Sequence, residues 1–223
     1  MGLFGGRGYL LFLVPSESLE WRPVYRLLTA LVQPRPIAWV STKSAEGIAN
    51  LAPFSFFNVV CANPATIAFS PMWSGPEALK KDTLANIEET GEFVVQVVSR
   101  ELSSAMNVTS CEVSHEVDEF ELAGLRHAPS RMVEVPRVEE AQAYLECRLD
   151  RIIEIGEGSG AGALVLGQVI CIEVDDEIMD GERVDLEKLD PIGRLSGSDY
   201  CGISDRFHLG RPSPEELSRP KRK

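Results

Sequence analysis

Positive charge is scarce in this chain. Of 223 residues, 22 are Lys or Arg against 34 Asp or Glu, a formal net charge of −12. Gripping a nucleic-acid backbone needs a positive surface, so nucleic-acid binding is excluded. Long apolar runs are also missing. The longest near the N-terminus, Tyr9 to Val14, has six residues, whereas a bilayer span needs ~18, and no membrane association is expected. Pro15-Ser16-Glu17-Ser18 follows where a cleavage site would need small residues, so this segment is read as part of the folded chain. Redox and metal ligands are few. Five cysteines, Cys61, Cys111, Cys147, Cys171 and Cys201, include no C-x-x-C pair, and the three histidines are dispersed. The cysteines are expected to be buried small hydrophobes in a protein of the reducing cytoplasm, with no metal site.

Familiar catalytic motifs are absent or incomplete. There is no G-K-[ST] phosphate loop and no G-x-S-x-G elbow. His115-Glu116 begins like the zinc motif H-E-x-x-H, but Glu119 stands where the second histidine belongs. Gly156-Glu157-Gly158-Ser159-Gly160-Ala161 matches G-x-G-x-x-A, yet the β-branched residues Val165, Val169, Ile170, Ile172 and Val174 follow in place of a helix. The glycines therefore predict a hairpin loop and not a dinucleotide fold.

What is present is mainly strand. Val24, Leu27, Leu28, Leu31 and Val32 have helical spacing that Pro34 and Pro36 end. Ile37 to Thr42 is a predicted strand, Ala45 to Gly47 a turn, and Ile48 to Val60 a second extended stretch, together a hairpin-like pair. Thr66 to Ser70 and Phe93 to Val98 add strands, the latter apolar enough to be covered on both faces. Between them Asp82 or Thr83 is the expected cap of a short helix carrying Leu84 and Ile87, with Gly91 as its terminator. A further helix is expected over Ser99 to Thr109 and a loop over Val113 to Gly124, and then two long strands, Tyr144 to Ile155 and Ala163 to Val174. Connections this short favour antiparallel pairing in a closed or partly closed barrel, a mainly β fold with short α-helices. Residues 1–209 are read as one domain with an N-terminal extension, and 210–223, rich in Pro, Ser and charge, as a disordered tail.

Three stretches suit a phosphorylated planar ligand. Pro34-Arg35-Pro36 leads into a strand bearing Trp39, Ser41 and Thr42. Asn50-Leu51-Ala52-Pro53-Phe54-Ser55 contains a proline that cannot donate to a sheet, so the backbone is expected to leave regular pairing there. Lys80-Lys81-Asp82-Thr83 places two cations and a hydroxyl at a helix start, where amide N–H groups and the helix dipole favour an anion. Each stretch also has a plain structural reading: core or dimer seam for Trp39 and the phenylalanines, a solvated face for the lysines, a cap for Asp82 or Thr83.

The order P-R-P-I-A-W-V-S-T, G-I-A-N-L-A-P-F-S-F-F-N, K-D-T-L-A-N-I, with D-E-F-E before A-G-L and a late P-I-G-R-L-S-G, resembles the flavin reductase-like family of FMN-binding split barrels, which includes flavoredoxins. The resemblance covers about Tyr25 to Tyr200 and implies a homodimer of split β-barrels, each holding one FMN. It implies that Ser41, Thr42, Lys81 and Thr83 hold the phosphate, that Trp39, Asn50, Ala52 and Ser55 border the ribityl chain or ring, and that Pro53 and Asp82 belong to the same site. No catalytic side chain is implied, because the cofactor carries the chemistry. The implied activity is a flavin reductase passing hydride from NAD(P)H to FMN. The alternative is an electron carrier served by a redox protein partner. Ser196 departs from the Gly-Gly common in the family, and Ser is tolerated there unless the backbone needs positive φ.

Overall fold

The computed structural model describes residues 20–214 except 74, 76 and 77. Both the N-terminal apolar segment and the basic end of the tail therefore lie outside the described residues. Seven strands form one sheet: β1 (Ala38–Lys43), β2 (Ala49–Phe54), β3 (Phe57–Ala62), β4 (Ala65–Phe69), β5 (Glu92–Gln96), β6 (Ala143–Ile155) and β7 (Gly162–Val174). Their order is β2-β1-β5-β6-β7-β4-β3, and every neighbouring pair is antiparallel. The edge strands β2 and β3 are consecutive in the chain, joined only by Ser55-Phe56. Three residue steps span at most about 11 Å, so the sheet must curl until its two edges meet at that corner. No ladder joins β2 to β3 among the described residues. This is a barrel with a split.

Alternation along the strands builds two cores. Ala38, Val40, Phe93 and Val95 point into the barrel with Phe54, Ile67, Phe69 and Val165, while Trp39, Leu51 and Val94 point outward to Met106, Phe120, Val138 and Tyr144. β1 and β5 are thus covered on both faces, as the apolar Phe93–Val98 run predicts. Gly167 of β7 makes room for the Phe93 ring: a Cβ there would lie 2.2 Å from Phe93 Cζ.

The helices are short. α1 (Trp21–Leu31) lies largely exposed, with Thr29 its buried residue. α2 (Asp82–Thr90) closes the barrel with Leu84 and Ile87 and ends at Gly91, whose φ of +72° is the left-handed terminator expected from sequence. α3 spans only Ser103–Val108, and α4 (Glu119–Leu122) forms inside the stretch read as loop. The Asp118 carboxylate accepts from the Phe120 N–H and caps α4. Between β6 and β7, Gly156, Gly158 and Gly160 all have positive φ, the hairpin geometry that excludes a helix start.

Three expectations need correction. β2 keeps its pairing through Pro53, opposite Trp39, because an edge strand loses no ladder bond to proline; the chain leaves the sheet two residues later. Neither Asp82 nor Thr83 caps α2: Lys81 holds the cap position and contributes no side-chain bond. Of the cysteines only Cys147 is buried, and that burial pushes its thiol pKa far up; Cys61 and Cys111 are exposed.

Candidate functional site

A cleft of about 510 Å³ opens where the end of β2, the start of α2, α4 and the 109–115 loop come together. This is the size of a small-ligand pocket. α2 presents its N-terminus to the cleft with no side chain capping it. The Lys81 ammonium stands beside it, 3.1 Å from Glu112 Oε1 in a half-exposed ion pair. Such a pair is worth at most about 1 kcal/mol, so an incoming anion can replace the carboxylate. Lys80 is held more firmly: its Nζ lies 2.6 Å from Glu88 and 3.0 Å from Glu154, and these bonds raise its pKa.

A buried relay crosses the floor. Thr83 Oγ1 donates to Asn50 Oδ1 at 3.0 Å, and Asn50 Nδ2 donates to Glu119 Oε2 at 3.1 Å. Glu119 Oε2 also accepts the Leu51 N–H at 3.0 Å. Burial raises the Glu119 pKa, the bonds from Leu51, its own amide and Asn50 act to lower it, and Asp82 adds to the rise. Tyr25, Phe56, Met72 and Leu79 supply apolar wall, and Ser55, Ser110 and Ser114 supply hydroxyls.

Seven of the ten residues expected at a site line this cleft: Asn50, Ala52, Pro53, Ser55, Lys81, Asp82 and Thr83. Trp39, Ser41 and Thr42 do not. Trp39 is fully buried with Nε1 donating to Thr109 Oγ1 at 2.9 Å, Ser41 Oγ donates to the Pro136 carbonyl at 2.6 Å, and Thr42 Oγ1 accepts from Asn86 Nδ2 at 3.0 Å. Trp39 braces the cleft residue Thr109 from behind and Thr42 ties β1 to α2. His115 lines the cleft, whereas His127 Nε2 pairs with Asp118 Oδ2 at 2.9 Å.

Sequence reasoning missed Glu119, Tyr25 and the serine-bearing loop. Asp118 two residues ahead of Phe120 was a usable cap signal for the helix that carries Glu119. Arg35 was also missed. Its buried guanidinium donates to the carbonyls of Thr29 at 2.7 Å, Val32 at 2.8 Å and Leu195 at 2.8 Å, with Nε 3.4 Å from Ser55 Oγ, so it ties the end of α1 and the C-terminal segment to the cleft rim. Gly197 takes positive φ and Ser196 does not, which explains why serine is accepted there.

A second cavity of about 750 Å³ adjoins the first. It shares Tyr25, Phe56, Ser70 and Met72 with it and runs between α1 and the Gly156–Gly162 hairpin.

The sequence model of the flavin reductase like domain matches residues 32–187. The chain belongs to the flavin reductase-like family. An uncharacterized protein of Halalkalibacterium halodurans is 42% identical over 199 residues, 88% of this chain and 95% of that one. Among solved structures, nitrilotriacetate monooxygenase component B from Bacillus cereus superposes with a TM-score of 0.84 at 36% identity, covering 91% of this chain and all of that one. Pseudomonas fluorescens 2-nitrobenzoate 2-nitroreductase NbaA gives 0.79 at 32% identity, covering 91% and 96%. Split-barrel fold and family membership together support a flavin-related redox function.

Proposed function

We propose that the cleft binds FMN and that the protein is a flavin reductase, accepting hydride from NADH or NADPH. The observation that carries this reading is one cleft combining an uncapped helix N-terminus, a displaceable lysine pair and an apolar wall. That donor set fits an amphipathic ligand with an anionic tail and a flat ring. α2's first N–H groups and Lys81 hold the phosphate, which brings up to two negative charges that a protein of net charge −12 must offset locally. Thr83 and Asn50, fixed by their relay, face the polar part of the ligand, while Tyr25, Phe56 and Met72 exclude water from the ring. The bound flavin supplies the hydride-accepting chemistry. The adjoining cavity would give a nicotinamide room next to the cleft, where positioning would substitute for a protein acid–base pair.

Two copies form the working unit in this proposal, seated on the apolar residues exposed along α1 and β3. Fluorescence titration with FMN, then anaerobic mixing with NADH and with NADPH, tests the reading: the visible flavin absorbance should bleach with one equivalent of nicotinamide. Bound flavin that neither nicotinamide reduces but a redox protein does identifies an electron carrier. Failure to bind FMN at all overturns the assignment.

A further inference from the structure

Glu119 enters the site so far only as the anchor of the Thr83–Asn50 relay. It starts α4, is 6% exposed and stands on the cleft wall. Its Oε2 is turned to β2 and takes both the Asn50 Nδ2 and the Leu51 N–H bonds. A carboxylate oxygen offers two lone pairs, so Oε2 is saturated. Oε1 accepts neither bond, and even with the residue's own N–H directed at it, it keeps a lone pair for a proton. A proton taken up by this carboxyl therefore settles on Oε1 and leaves the anchoring of β2 intact, changing the side chain from an acceptor into a donor on the cleft wall.

We propose that Glu119 is a ligand-binding residue whose protonated Oε1 donates a hydrogen bond to an acceptor oxygen or nitrogen of the bound flavin while Oε2 stays tied to β2. This rests on the flavin reading above. Burial favours the protonated form, and an anionic ligand entering the cleft favours it further. The other titratable groups nearby are Asp82, the Lys81–Glu112 pair and Lys80 with Glu88 and Glu154 from the α2 side, His115 on the loop, Glu121 on α4 and its cap Asp118, which is engaged by His127.

Glu119→Gln separates this role from scaffolding. The glutamine carbonyl replaces Oε2 and its NH₂ replaces Oε1, so the variant mimics the protonated residue at every pH, and the surrounding groups are common to both proteins. Dissociation constants for riboflavin and FMN are measured by fluorescence quenching from pH 8 to pH 5. Riboflavin lacks the phosphate, whose own titration near about pH 6 cancels for FMN in the ratio of variant to wild type. The ratio of wild-type to Glu119→Gln affinity should rise at least five-fold on acidification for both flavins, reaching about one at low pH. A ratio that stays flat, or a variant weaker than wild type throughout, overturns the role of Glu119 and leaves the flavin assignment standing. A wild-type protein that binds neither flavin at any pH overturns both.

Discussion

At the scale of single residues, the same carboxyl shapes stability. A carboxyl whose folded pKa exceeds its ordinary value of 4.5 makes the folded state the tighter proton binder between those two values. Stability therefore falls as pH rises through that window and stays lowered above it. Glu119→Gln removes the cost while keeping the acceptor for Leu51. Its urea midpoint should exceed the wild type's at pH 7, and the gain should vanish below about pH 4, where both states of the wild type are protonated. Trp39 makes the opposite case, a side chain whose value is structural. Trp39→Phe removes the Nε1 bond to Thr109 and part of a fully buried ring, and should cost about 1–3 kcal/mol in urea unfolding. Because Thr109 lies on the cleft, flavin affinity reports whether the brace matters to the wall. Nothing in the sequence separates Trp39 as brace from Trp39 as ligand contact. An indole on a strand reads the same whichever way its partner strand turns.

At the scale of elements, α2 carries the sharpest expectation. Lys81→Ala removes a charged hydrogen bond, worth about 1.5–3 kcal/mol, but also frees the ligand from displacing Glu112, so FMN binding should weaken by about 1–2 kcal/mol. Riboflavin should be nearly unaffected, which calorimetry with both flavins checks. Gly167→Ala tests the barrel interior. The added carbon collides with Phe93, and overpacking of this kind costs about 1–3 kcal/mol, measurable as a lowered unfolding midpoint. Elements with strong periodicity were legible in the sequence: β1, β5, the long β6–β7 pair, α2 and its Gly91 stop. The rest was hidden where tertiary context decides. Pro53 stays paired because β2 is an edge, which only the strand order reveals, and α4 is a single turn too short for periodicity to register. The candidate site was legible as three stretches of sequence. Which side chains face the cleft was not, since Trp39 and Ser41 lie on the outward face of β1 against Thr109 and Pro136, and Thr42 turns toward α2.

At the scale of the whole molecule, large apolar side chains are exposed at several places, β3 and α1 among them. Val59 and Val60 on β3 are 65% and 53% exposed, and Leu28 and Leu31 on α1 are 53% and 79% exposed. If two copies meet there, light scattering should give about twice 24.5 kDa, and V59K/V60K should return the monomer mass with little change in barrel stability, because charged residues on an edge strand oppose pairing. A wild-type monomer at micromolar concentration removes the proposed dimer. The seam between β2 and β3 has its own effect. Main-chain amides of β1 and β5 are locked between neighbours, but among the described residues no rung bridges the gap between the outer rows of β2 and β3, where the Leu51 N–H is held by Glu119 instead. Deuterium uptake should therefore begin at the unbonded amides of these two rims, on β3 in the monomeric V59K/V60K form, and the barrel wall can flex there without unzipping a ladder.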